Sequence, residues 1–111
     1  MDFMHTGLAG GRWFEMSAME QLGNIGSEVN RALNWREKER KEQMTQAMYR
    51  ALDLIDLTVE DPKWHNHRLK ELLRMREVLC DFFFGDNIYS VTTDIVRKEF
   101  LYYGIAARAG R

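Results

Sequence analysis

Apolar side chains recur every three or four residues along most of this 111-residue chain, and a single proline, Pro62, interrupts the pattern. This spacing places apolar residues on one side of an α-helix, whereas a half-buried strand alternates at every second residue. The one stretch with β character, NIYSVTT at 87–93, is short. The pattern therefore predicts an all-α fold.

Four helices account for the apolar spacing. We expect them at 18–37, at 41–60, at 67–84, and from a cap at Thr92 or Thr93 onward. The charged stretch WREKERKEQ at 35–43 contains neither glycine nor proline, so periodicity leaves open whether it turns or continues as exposed helix. Helices of this length with short links are typical of an antiparallel four-helix bundle.

Local signals set the ends of these helices. Ser17 and Glu20 form a capping box, in which the serine oxygen accepts from a backbone amide and the glutamate reaches back. Asp61 ends the second helix, because the residue before a proline avoids helical backbone angles. Gly85 is a suitable residue for ending the third helix.

The chain is long enough for one domain. Residues 1–12 are aperiodic and carry several glycines, and we predict a loose N-terminal arm at 1–16 before a helical bundle at 17–111. Within the arm, Trp13 or Phe14 is placed to pack under the start of the first helix.

Charge and cysteine content exclude several classes of protein. The 16 basic and 17 acidic residues give a net charge of −1, which disfavours a domain that clamps many phosphates. A single cysteine, Cys80, rules out an internal disulfide and fits a reducing cytoplasm. No stretch has the roughly 20 apolar residues of a membrane span, and the N-terminus lacks the pattern of a secretory signal. We therefore expect a cytoplasmic protein without membrane contact.

The run GNIG at 23–26 has three interpretations. A nucleic-acid-binding Gly-x-x-Gly loop needs flanking strands and basic residues, and a phosphate-binding loop needs a preceding strand and a lysine. Neither context is present. Small residues at helical spacing also permit another helix to approach closely, which would offset the roughly 1 kcal/mol that each glycine costs a helix. Gly23, Gly26 and Ser27 are therefore predicted to form a contact surface.

Three successive phenylalanines, Phe82, Phe83 and Phe84, point in directions about 100° apart on a helix, so one bundle interior cannot accept them all. Exposed aromatic side chains commonly mark interfaces. In the alternative, Phe82 or Phe84 seals the end of the bundle under the Gly85 turn. We predict Phe82, Phe84 and Trp13 as interface residues, with homo-oligomers and a further, unidentified protein partner.

Carboxylates at helical spacing on the second helix have two interpretations; they are Asp53, Asp56 and Glu60. A metal site in a bundle usually adds Glu-x-x-His pairs, and this chain contains none. Ion pairs to the third helix are favoured, from Asp53 to Arg76 and from Asp56 to Arg74 or Lys70. Such pairs contribute about 0–1 kcal/mol each when exposed.

Other candidates for chemistry are weaker. His65 and His67 alternate as in some zinc sites, but further ligands are scarce. Cys80 lies among leucine and phenylalanine, which favours inert burial. The Arg-x(4–6)-His motif of the helical HEPN ribonucleases does not occur. We predict no catalytic residue, no metal site and no cofactor.

A basic cluster supports an alternative function in nucleic-acid binding. Its residues are Arg36, Lys38, Arg40, Lys41, Arg97 and Lys98. Glutamates at 37, 39 and 42 interrupt it, so a solvated helix end is favoured over an RNA-binding surface.

The combination GRWFEMS, EQLGNIGSEVNRAL, ALDLIDLTVEDP and RLKELLRMREVLCDFFFGDN resembles a group of short uncharacterised bacterial all-helical proteins over about residues 11–107. The architecture is loosely similar to the four-helix-bundle proteins of 23S rRNA intervening sequences and to the accessory proteins of diversity-generating retroelements. That similarity implies a small oligomeric bundle, and in the retroelement case RNA binding through a basic surface. This chain departs from it in its near-neutral charge, and no residue roles are carried over.

Overall fold

The computed structural model describes residues 11–108, with side chains described for residues 11–100. Within this part, the helices are α1 (Arg12–Glu15), α2 (Ala18–Glu37), α3 (Lys41–Val59), α4 (His67–Phe84) and α5 (Thr93–Arg108), with a 3₁₀ turn at Pro62–Trp64. This part of the chain contains no strand, and its helix contacts are those of an all-α bundle. The predicted fold class is confirmed.

Local signals place the helix ends where the sequence predicts them. Ser17 Oγ accepts from the Glu20 amide at 3.1 Å, and Glu20 Oε1 accepts from the Ser17 amide at 2.8 Å, so the capping box is present. Thr92 Oγ1 accepts from the Ile95 amide at 3.2 Å and caps α5. The open question at 35–43 is resolved by a turn at 38–40, in which Glu39 has a φ of 58°.

Adjacent helices are antiparallel, and α2 lies between α3 and α5. Glu28 of α2 pairs with Arg50 of α3 at 3.1 Å, and the C-terminal half of α2 contacts the start of α5. Since α4 packs against α3, the four long helices follow the order α5, α2, α3, α4 around the core. Three seams of the bundle are therefore closed by direct helix packing.

The glycine-bearing face of α2 is covered by the chain itself. A Cβ atom placed on Gly26 would lie 2.8 Å from Cδ1 of Phe100, so only glycine permits this approach of α5. Close packing is confirmed at Gly26, but this residue is buried and is not an intermolecular contact as predicted. Gly23 is partly buried and Ser27 is exposed.

The described part of the predicted N-terminal arm, residues 11–16, packs against the bundle. The short helix α1 buries Trp13 completely, and its Nε1 donates to Thr58 Oγ1 at 2.9 Å. The prediction of Trp13 as an interface residue is therefore wrong, because its ring already packs beneath the bundle. Residues 1–10 of the predicted arm lie outside the described residues.

A buried polar network fixes this end of the bundle. Gln21 Nε2 donates to the Trp13 carbonyl at 2.9 Å and to Asp61 Oδ2 at 2.8 Å, while Gln21 Oε1 accepts from Trp64 Nε1 at 2.7 Å. Burial works to raise the pKa of Asp61, but hydrogen bonds from Lys63 and Gln21 outweigh it, so the pKa is lowered. Because the polar atoms of Gln21 all have partners, we interpret the network as structural.

Candidate functional site

The three successive phenylalanines divide between the core and the surface. Phe82 and Phe83 are buried and meet edge to face, with ring centroids 5.0 Å apart, whereas Phe84 is 45% exposed. The prediction that at least one ring faces outward is confirmed. The prediction of Phe82 as an interface residue is wrong, because its ring lies in the interior with the Arg36 guanidinium 4.6 Å from its centroid.

An exposed apolar surface, which we call the α3–α4 patch, consists of Tyr49, Leu73 and Phe84. The rings of Tyr49 and Phe84 lie 6.1 Å apart across the two helices. Tyr49 is 55% exposed and Leu73 46%, and Leu73 stands about three helical turns from Phe84 on the same side of α4. Sequence reasoning missed Tyr49 and Leu73, because each is adjacent to a buried apolar residue and shares its hydrophobic character.

An ion pair lies in the middle of the α3–α4 patch. Arg76 donates to both carboxylate oxygens of Asp56, at 2.7 and 3.2 Å, and this hydrogen bonding raises the pKa of Arg76. Pairing between these helices is confirmed, but the predicted partners of Asp56, Arg74 or Lys70, are wrong. The partly buried Cys80 lies beside the pair, with its Sγ 3.9 Å from Arg76 Nη1.

The fourth seam of the bundle, between α4 and α5, is an open groove of about 300 Å³. Its lining is largely apolar and includes Met75, Val78, Leu79, Val96 and Phe100. Ile95 stands at its edge and is 50% exposed. We call this depression the α4–α5 groove.

Polar side chains border the α4–α5 groove. Glu71, Arg74 and Glu99 are exposed along it. The Arg74 guanidinium lies 5.7 Å from the ring centroid of Tyr89, which forms one wall. The Tyr89 hydroxyl donates to the Glu77 carboxylate, and this hydrogen bond raises the pKa of Tyr89. A bound segment would therefore meet an apolar floor and a charged rim.

The connection at 85–92 is tied to α4 and contributes Tyr89 and Val91 to the lining of the groove. The amides of Asn87 and Tyr89 donate to the Asp81 carbonyl and carboxylate, at 3.2 and 3.1 Å. The Asn87 side chain bonds both the carbonyl and the amide of Val91, at 2.9 and 3.1 Å. These bonds stabilise the positive φ of 54° at Asn87 and fix the path by which the chain enters α5.

The predicted nucleic-acid contacts lie on segments that meet at one end of the bundle; they are Arg36, Lys38, Arg40, Lys41, Arg97 and Lys98. Arg97 donates to Asn30 at 2.6 Å, to Asn34 at 3.1 Å and to Glu37 at 3.2 Å. Arg36 packs on Phe82, as described above. At least two of the six cations therefore hold helices of this bundle together, and Glu37 offsets the charge of Arg97.

The other candidates for chemistry do not converge. His65 and His67 are exposed, and His65 Nε2 lies 2.8 Å from the Val59 carbonyl oxygen. Among the residues that the structure describes, no three His, Cys, Asp or Glu side chains form a group able to hold a metal ion. No helix in the same part of the chain has both the length and the apolar character needed to cross a bilayer.

No family model, curated protein or solved structure matches this chain. The resemblance drawn from its sequence motifs stays a prediction.

Proposed function

We propose that this chain is a non-catalytic helical assembly module, which pairs with a second copy of itself and binds a further protein. The observation that carries the proposal is the α3–α4 patch, where two aromatic rings and a leucine are about half exposed on one face. Aromatic side chains are enriched at protein interfaces, since they bury a large area with little loss of side-chain entropy.

The patch is complementary to itself. A two-fold axis parallel to the antiparallel pair α3 and α4 sets α3 of one copy against α4 of the other at the same height. Tyr49 then meets Phe84 of the second copy, and the Asp56–Arg76 pairs of the two copies lie side by side. At the far end of the patch, Glu60 faces Lys70 of the second copy. Apolar contacts at one end and opposite charges at the other favour a single orientation.

The test is the mass of the full chain in solution, measured by sedimentation velocity from about 1 to 100 µM, a range that covers weak dimers. We expect the wild type to dimerise with rising concentration and the double variant Tyr49→Ser, Phe84→Ser to stay monomeric. Ile88→Ser is the matched control, because Ile88 is 75% exposed but lies outside the patch. Circular dichroism verifies that each variant is folded.

A wild-type chain that is monomeric throughout this range would overturn dimer formation, and so would a dimer that the patch variant leaves unchanged. The alternative accessory role in nucleic-acid binding has its own signature. RNA affinity that falls steeply with salt and is lost in Arg40→Glu, Lys41→Glu would support that role in place of the assembly module.

A further inference from the structure

We propose that the α4–α5 groove binds an amphipathic helical segment of a partner protein, with apolar residues on one face and lysine or arginine beside them. This inference rests on the proposed role as an interaction module and names the chemistry of the protein partner. It concerns the seam between α4 and α5, which is separate from the α3–α4 patch.

The shape of the groove suits a helix. It lies between α4 and α5, and its lining residues Glu71, Ile95 and Glu99 are exposed to solvent, so a third helix can lie in it as in other helix-in-groove complexes. On the α4 wall, Met75 is followed at i+3 and i+4 by Val78 and Leu79, which gives apolar contacts at helical spacing. Val96 offers an apolar contact on the opposite wall. A small-molecule site would instead bring a few buried polar groups together. The charged residues of this groove, Glu71, Arg74 and Glu99, are all exposed.

The groove exists before any partner arrives. The hydrogen bonds of Asn87 and Tyr89 to Asp81 tie the connection to α4, while Phe100 seats α5 on the backbone of α2 at Gly26. Both walls are thus held by contacts that a bound helix does not need to break. Binding to a preformed surface avoids the cost of ordering it.

The rim selects the charge of the occupant. Glu71 and Glu99 form no ion pair within the described part of the chain, and both are exposed on the rim. Among the described residues of the lining, Arg74 is the one cation, and it already lies over the Tyr89 ring. The net rim charge of the lining residues is therefore negative, and complementary charges steer and orient a partner. A helix with basic residues beside its apolar face can pack on the apolar floor and pair with the acidic rim.

The test uses designed peptides as probes with the full chain. Fluorescein-labelled peptides of about 14 residues, or four helical turns, carry leucine at i, i+3 and i+7 with either lysine or glutamate beside the leucines. We expect the lysine peptide to bind at least about tenfold more tightly than the glutamate peptide in fluorescence anisotropy. The double variant Glu71→Lys, Glu99→Lys should reverse this order. The matched control Glu15→Lys, Glu42→Lys changes the net charge equally, at exposed positions outside the groove, and should preserve the order.

Further variants separate this inference from the proposed function. Val78→Ser should lower the affinity for both peptides and leave dimer formation unchanged. The patch variant Tyr49→Ser, Phe84→Ser should still bind the lysine peptide more tightly than the glutamate peptide. Absence of binding to either peptide at about 1 mM, the weakest affinity the assay measures, would overturn the inference. An unchanged order in Glu71→Lys, Glu99→Lys would do the same. Loss of dimers in Val78→Ser would show that a second copy occupies the groove instead.

Discussion

Replacing Gly26 by alanine tests the close approach of α5 to α2. The added Cβ atom would lie 2.8 Å from Cδ1, 3.0 Å from Cβ and 3.2 Å from Cγ of Phe100. The Cβ atom of Phe100 is fixed by the backbone of α5, so rotation of the ring alone cannot relieve the contact with the new methyl group. We expect α5 to move outward by a few tenths of an ångström, at the expense of its packing against the core.

Two opposing terms set the size of the effect. Alanine is favoured over glycine within a helix by about 1 kcal/mol. Overpacking of a filled core costs typically about 1–3 kcal/mol. The balance is a loss of about 1 kcal/mol in the free energy of unfolding, which corresponds to a Tm lower by roughly 4–8 °C for a domain of this size.

Urea denaturation followed by circular dichroism measures this difference. Ser27→Ala is the matched control, because Ser27 is the next residue on α2 and is exposed, so only helix propensity changes there. We expect that control to gain a few tenths of a kcal/mol. If Gly26→Ala stabilises the protein as the control does, then Phe100 does not depend on glycine at this position and the reasoning is refuted.

The remaining predictions concern the end of the bundle that carries the buried network. The folded pKa of Asp61 lies below its ordinary value of 3.8, so its contribution to stability is complete at neutral pH and is lost as the pH falls through the folded pKa. Urea denaturation between about pH 7 and about pH 2 should therefore show that acid lowers the free energy of unfolding less in Asp61→Asn than in the wild type. An equal decrease in the two proteins would contradict this prediction. Ser17→Ala removes one half of the capping box and should lower the free energy of unfolding by about 1 kcal/mol. If the free energy of unfolding of Ser17→Ala is not lower than that of the wild type, the cap does not stabilise α2.

The candidate surfaces were predictable only in part. Three successive phenylalanines required at least one to face outward, but the choice of Phe84 depended on the rotation of α4 against α3. The glycines of α2 indicated a close helix contact, yet nothing local to Gly26 identified α5 as the helix that makes it. Asp56 was expected to pair across the α3–α4 seam, but the axial register of the two helices decided that Arg76 is its partner.

The α4–α5 groove was not predicted at all. Its residues Met75, Val78 and Val96 follow the same apolar spacing as residues that are fully packed elsewhere in the bundle. The groove is completed by the connection at 85–92, where Tyr89 is part of the lining and the amides of Asn87 and Tyr89 are tied to Asp81. These bonds join residues six to eight positions apart, beyond the reach of helix periodicity.

The sequence by itself determined the helices and their ends, because capping bonds, proline geometry and apolar spacing act within about four residues of the chain. Only the tertiary structure decided which apolar side chains are covered, which helix fills the glycine face and which seam stays open. Exposure of a side chain depends on how distant helices rotate and shift against one another, and the sequence of one segment does not specify which other segments pack against it.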